Sequence, residues 1–236
     1  MAMKGLNSMK KRFAAIPVFL VAALCVLTAC TRLDGLAVQD SSGKNRVIVT
    51  NESGEPVYDD AGNVLIIKTD EKGRSEKDSD GNLVTNPLSM DYVIDSGEML
   101  YCRYFSMAKP DGYEVTSYGH TISLVKKDGS SITFSYDDSA KLADKLSAQA
   151  DIVTAMKEQK GVEVKTETYE KEIAGAKASF TEIRVSGTVD GEDKSALIIS
   201  CIFERNGVVY SADLQTDDLQ ADAAELESII GSVSFR

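Results

Sequence analysis

The chain has 236 residues, a formal net charge of −11, no tryptophan and one histidine. That charge disfavours nucleic acid and an anionic lipid surface as partners, because both repel an acidic chain that lacks a polybasic patch. A single histidine leaves almost no material for a histidine metal cluster or a Ser-His-Asp triad.

Residues 1–29 divide as a secretion signal does. Lys4, Lys10, Lys11 and Arg12 come first, an apolar run from Phe13 to Thr28 follows, and small residues close it. The run is shorter than the roughly 20 apolar residues of a comfortable membrane span, and Pro17 interrupts it. It ends in Leu27-Thr28-Ala29-Cys30, which resembles the bacterial lipobox. The resemblance implies cleavage before Cys30, a diacylglyceryl group on its thiol, and a lipid-anchored protein on the extracytoplasmic face of a cell membrane, Gram-positive by expectation. Two acyl chains make such attachment stable where one is marginal. Losing residues 1–29 removes those four basic residues and no acidic one, taking the formal charge from −11 to about −15.

Residues 30–88 read as the lipidated N-terminus and an acidic, flexible linker. Glu52-Ser-Gly54-Glu-Pro56-Val57, Asp59-Asp-Ala-Gly62-Asn-Val64, Asp70-Glu-Lys-Gly73 and Asp78-Ser-Asp-Gly81-Asn-Leu-Val84 look like degenerate copies of one turn unit, each with an acidic residue ahead of a glycine. Such units hold little apolar surface to offset the entropy of ordering, so transient hairpins in a disordered stalk are expected. Asp78, Asp80 and Asn82 around Gly81 invite a calcium-loop reading. The register fails: with Gly81 at the sixth position, the twelfth, which should be a bidentate Glu, is Pro87. No metal and no cofactor are expected.

Residues 89–236 form one domain of about 145 residues, enough for a single core. Met99–Phe105 opens it as a strand, and Ile122/Leu124 and Ile132/Phe134/Tyr136 alternate on either side of Asp128-Gly129 as a hairpin. The period then lengthens: Leu142, Leu146, Ala150, Val153 and Met156 mark an amphipathic helix between Asp138 and Gly161. Val162–Glu170 reads as a polar edge strand, Ser195–Phe203 as a central strand apolar on both faces, and Asn206-Gly207 as a hairpin turn into Val208, Tyr210, Ala212 and Leu214. Leu219, Ala223, Leu226 and Ile230 mark a last helix, with Val233-Ser-Phe235 as a closing strand.

This order of elements resembles the PsbP-like family, on the Pro110-Asp-Gly-Tyr113 opening, the single long helix after the first hairpin, the Ala174-Gly-Ala176 turn and the closing Ile229-Ile-Gly-Ser-Val-Ser-Phe235. That family includes photosystem II oxygen-evolving subunits, Ran-binding Mog proteins and bacterial lipoproteins. The resemblance covers residues 90–236 and implies an α+β fold, an antiparallel β-sheet covered by about two helices, with a binding or assembly role and no catalytic residues carried over.

Cys102 and Cys201 are the cysteines left in the folded part. Export makes them a candidate disulfide, whose loop of about 100 residues is worth roughly 4–5 kcal/mol if the geometry allows; the alternative is two separate buried thiols. His120 reads as a half-buried structural residue. Tyr101, Tyr104, Tyr113, Tyr118, Tyr136 and Tyr210 are explained by strand packing, or a subset forms an aromatic binding patch. Glu225 and Glu227, with Asp217 and Asp218, read as solvated helix positions and not as a catalytic pair. The expected function is a membrane-anchored, non-catalytic binding or assembly module for an unknown protein or envelope component. A small-ligand carrier with a pocket between sheet and helix is the alternative, and an enzyme a weaker one. A packed interior with an aromatic face favours the module; a concave pocket favours the carrier or the enzyme.

Overall fold

The computed structural model describes residues 36–39, 43–118, 120–189 and 192–236, excluding the side chains of residues 118 and 189. The signal segment, Cys25 and Cys30 lie outside the described residues. An antiparallel pair, β1 (Ala37–Gln39) and β2 (Asn45–Val47), leads into the acidic region.

That region is ordered, which overturns the disordered linker. In each turn unit one side-chain oxygen accepts two backbone N–H groups: Asn51 from Ser53 and Glu55, Asp59 from Ala61 and Asn63, Asp70 from Lys72 and Arg74, Asp78 from Asp80 and Asn82. The glycine three residues on takes the left-handed conformation each turn requires, with φ between 77° and 86° at Gly54, Gly62, Gly73 and Gly81. Three extended stretches then close on one another. Val57 N–H donates to Val49 O, Leu65 N–H to Val57 O, and Val49 N–H to Leu65 O. Nineteen positions later the pattern recurs, with Glu76 donating to Lys68, Val84 to Glu76, and Lys68 to Val84. The region is therefore an internal duplication, 49–65 and 68–84, of a closed three-stranded ring. β3 (Val64–Ile67) and β4 (Thr85–Leu88) pair antiparallel to join the copies.

The two copies differ in what they bury. Val64 of the first copy and Ile48 and Ile66, which flank it, pack with Val38, Leu88, Tyr92, Ile94 and Tyr101 into a core of their own. At the second copy Lys68 and Glu76 form an ion pair of 2.7 Å where the first has Val49 and Val57, and Leu83 is exposed where Val64 is buried.

The rest of the chain runs β5 (Val93–Asp95), β6 (Met99–Cys102), β7 (Phe105–Ala108), β8 (Tyr113–Tyr118), β9 (Thr121–Lys126), β10 (Ser131–Asp137), α1 (Leu142–Lys157), β11 (Val162–Ile173), β12 (Ala176–Val189), β13 (Glu192–Arg205), β14 (Val208–Thr216), α2 (Ala224–Gly231) and β15 (Ser234–Phe235). Seven strands form one antiparallel sheet in the order β11-β12-β13-β14-β10-β9-β8, and four form a second, β15-β7-β6-β5. Asn206 (φ 52°) and Gly207 (φ 78°) supply the expected tight hairpin between β13 and β14. β13 is central and β11 an edge.

The α+β, PsbP-like expectation of a sheet covered by helices is corrected: strands carry the fold and cover one another. One face of the large sheet, with Phe134, Ala212, Cys201 and Phe180 aligned across four strands, packs with Leu100, Phe105 and Met107 of the small sheet and with Leu226, Ile229 and Ile230 of α2. Opposite parity puts Tyr101 and Ile94 of the small sheet into the N-terminal core, so the small sheet is packed on both faces. The other face of the large sheet is mixed: Thr168, Thr181, Ser200, Asp213, Thr133 and Ser123 stand in one cross-strand row, and Ile183, Ile202 and Val209 share that face as buried residues. α1 lies there and buries no residue. Its stripe of Leu142, Leu146, Val153 and Met156 is only half-buried, and Thr181 donates to Gln149 and Lys157 to Thr166 between sheet and helix. Helical periodicity located α1 correctly but assigned it a core-building part that belongs to the second sheet.

Candidate functional site

Tyrosines and carboxylates from four parts of the chain meet at one end of the two-sheet core. Arg103 and Tyr104 occupy the tight link between β6 and β7, Tyr136 lies near the end of β10, and Asp91 precedes β5. His120 sits between β8 and β9. Asp137 accepts the Ser139 and Ala140 N–H groups and the Ser139 hydroxyl, and this turn into α1 presents Asp138 outward.

Tyr136, on the buried face of β10, donates its hydroxyl to Asp91 Oδ1 at 2.7 Å; Tyr104 donates to Asp138 Oδ2 at 2.5 Å. The two rings meet edge to face with centroids 5.1 Å apart, and His120 meets Tyr136 edge-on at 6.0 Å. His120 Nδ1 is 3.9 Å from Asp91 Oδ2, beyond hydrogen-bond distance, and the imidazole is exposed. The Arg103 guanidinium stands 5.1 Å over the Tyr104 ring with Nη1 3.9 Å from Asp138. Its Nε is buried with no partner among the described residues.

Burial first, and the hydrogen bond to Asp138 second, push the Tyr104 phenol up to about 12; burial and Asp91 push Tyr136 up further. Both phenols are neutral donors at physiological pH, each spending its proton on a carboxylate. Asp91 and Asp138 remain half-exposed with lone pairs to spare. The arrangement offers acceptors, aromatic edges and one cation to a polar partner, and no phenol poised to transfer its proton.

The other residues singled out in the sequence serve structure. Cys102 and Cys201 are free, buried thiols in different sheets, both facing the main core; burial pushes Cys201 up to about 12 and Cys102 further still. Glu225 accepts from Tyr113 Oη at 2.9 Å and from Lys126 Nζ at 2.5 Å, tying α2 to β8 and β9. Glu227 takes Lys171 at 2.5 Å and ties α2 to β11. Asp218 Oδ1 accepts the Gln220 N–H within the lead into α2. The Asp78 oxygens are committed to their own turn, through Asp80 and Asn82. Tyr210 is core and Tyr101 belongs to the N-terminal core. Among the described residues there is no group of three or more His, Cys, Asp or Glu placed to hold a metal ion. No helix among them is long and apolar enough to cross a membrane. Sequence does not mark Asp91 or Asp138, since each meets its tyrosine only through tertiary structure, and Arg103, though it stands beside Tyr104, carries no local pattern of its own.

No family model matches the chain, and no curated protein matches it. Three solved structures are similar to it in part. One is a protein from Bacteroides thetaiotaomicron (11% identity, TM-score 0.41, covering 57% of this chain and 46% of that one). Another is a Pseudomonas aeruginosa protein of unknown function described as a putative regulator (18% identity, TM-score 0.35, 56% and 91%). A third is LpqN, involved in cell envelope biogenesis of Mycobacterium tuberculosis (16% identity, TM-score 0.33, 55% and 82%). The chain spans less than half the length of the first of these. Likenesses this loose carry no functional argument.

Proposed function

We infer that this chain is a lipoprotein, anchored through Cys30 on the extracytoplasmic face of a membrane, that binds a protein or envelope component without catalysing a reaction on it. The observation that carries the binding reading is a filled interior beside a polar aromatic rim. Phe105, Phe134, Phe180, Phe203 and Tyr210 are fully buried between the sheets, while Tyr104, His120, Asp91 and Asp138 gather at the edge around the buried Tyr136. Tyrosine is a favoured anchor at such surfaces because it joins apolar area to a directed hydrogen bond at low entropic cost. The anchor rests on the order of basic residues, apolar run and lipobox ahead of Cys30.

The binding reading is tested in intact cells with a photo-crosslinking residue at the exposed His120 position, compared with the same residue at Ile152 on α1. A discrete adduct formed from position 120, absent from 152 and lost in a Tyr104→Phe/Asp138→Asn background, is the expected result. Absence of any adduct specific to position 120 refutes the site.

A further inference from the structure

The two helices are held in different ways. α2 buries Leu226, Ile229 and Ile230, and Glu225 and Glu227 tie it to β8, β9 and β11. α1 has 16 residues and buries none of them. A helix of that length is marginal in water on its own. Lys141 at its N-cap makes no side-chain cap bond, and the Thr154 hydroxyl turns back onto Ala150 O. Polar contacts fasten α1 to three strands: Lys145 to Asp137 of β10 at 3.0 Å, Gln149 to Thr181 of β12 at 3.3 Å, and Lys157 to Thr166 of β11 at 3.1 Å. Such contacts between partly exposed side chains hold weakly.

The sheet along that path is nevertheless closed to solvent. Asp137 is paired across strands with Val209, Thr166 with Ile183, and Thr181 with Ser200, two residues before Ile202. Val209, Ile202, Ile183, Thr181 and Ser200 are each at most 6% exposed. The three aliphatic residues belong to neither hydrophobic core, since the main core stands on the opposite face with Phe180, Cys201 and Ala212. A weakly held helix thus lies over a buried strip that the cores do not need.

We propose that α1 is a lid, which comes away from the large sheet while both cores stay folded and so exposes the strip of Val209, Ile202 and Ile183. Its hinges are the Asp137–Ala140 turn and Gly161, which holds a left-handed φ of 83°. The first hinge also presents Asp138 to Tyr104, so the lid opens beside the candidate rim.

Adjacent residues of β13 make the test internal. Ser200 faces α1 and Cys201 faces the main core, so fraying of the strand would uncover both and lifting of α1 uncovers position 200 alone. Ser200→Cys in the full chain is treated with N-ethylmaleimide under native conditions, and each cysteine is read by peptide mass. Position 200 is expected to react at least about 100-fold faster than Cys201 in the same molecules, because the lid opens far more often than the core unfolds. Thr181→Cys, on the neighbouring strand under the same helix, is expected to follow Ser200→Cys and serves as the reporter if that substitution disturbs the fold. Equal slow reaction at the covered position and Cys201 overturns the lid. Ile152→Pro, which breaks α1 at an exposed position, is expected to make position 200 react freely and leave Cys201 protected. Loss of protection at Cys201 in that protein makes α1 part of the core and overturns the proposal.

Discussion

Replacing Arg236 with alanine tests how the duplicated N-terminal ribbon is held to the sheets. The guanidinium donates through Nη1 to the carbonyl oxygens of Cys102 and, at 3.2 Å, Phe105, and through Nη2 to the Tyr58 hydroxyl, while stacking on the Tyr58 ring. One side chain thus joins the β6–β7 link to the first ring. The stacking contributes about 0.5–1 kcal/mol at an exposed position, and hydrogen bonds from a charged donor about 1.5 kcal/mol or more. Because Arg236 is itself exposed, the low end applies, and Arg236→Ala is expected to cost about 2 kcal/mol. For a domain of this size that is a fall in Tm of roughly 4–8 °C. Tyr58→Phe removes only the hydroxyl contact and is expected to cost less. The two substitutions are expected to be less than additive, since they share a partner. Urea denaturation of the four proteins in the double-mutant cycle measures this. A loss below about 0.5 kcal/mol for Arg236→Ala, within the range of an ordinary surface substitution, refutes the clamp.

Three further outcomes follow from the same structure. In hydrogen exchange, the ring amides of Val49, Val57 and Leu65 are expected to be protected, and Asp59→Ala to expose the amides of Ala61 and Asn63; rapid exchange across 43–88 in the parent protein contradicts the closed rings. Asp213 stands in the hydroxyl row under α1, where burial raises its carboxyl above the usual 3.8 and a hydrogen bond from Ser200 partly offsets this. A folded value raised above the unfolded one means that the ionised form costs stability at neutral pH and that the cost fades as pH falls through the folded value toward 3.8. Asp213→Asn is therefore expected to stabilise at pH 7 and to lose that advantage near pH 4 in parallel thermal melts; a gain independent of pH, or a loss at pH 7, contradicts the assignment. Cys102 and Cys201 are expected to resist alkylation in the native protein and to react fully in denaturant without reductant, and a mass lower by two hydrogens with no alkylation refutes the free thiols.

The elements that sequence periodicity located are those whose pattern is local. Asn206-Gly207 dictates its turn through two adjacent residues, and Leu197 to Phe203 announces a strand covered on both faces by its own composition. α1 is legible as a helix, yet the face it lies on is not, because Thr168, Thr181, Ser200 and the buried Ile183 and Ile202 come from separate strands. The acidic region holds too little apolar area to announce its order. Order there comes from Asn51, Asp59, Asp70 and Asp78 satisfying backbone donors and from ring closures that span Val49 to Leu65 and Lys68 to Val84. The turn glycines were visible in the sequence; the 19-residue offset that pairs them into two copies was the unused signal. At the candidate site Tyr104, Tyr136 and His120 were visible as residues, but their partners Asp138 and Asp91 lie 34 and 45 positions from the tyrosines they bind, beyond any local pattern.

The function proposed above rests on a lipid anchor at Cys30. Intact-mass measurement of the membrane-extracted protein tests it most directly. A chain beginning at Cys30 and carrying a diacylglyceryl group is the predicted result; an intact Met1, or an unmodified Cys30, contradicts the account.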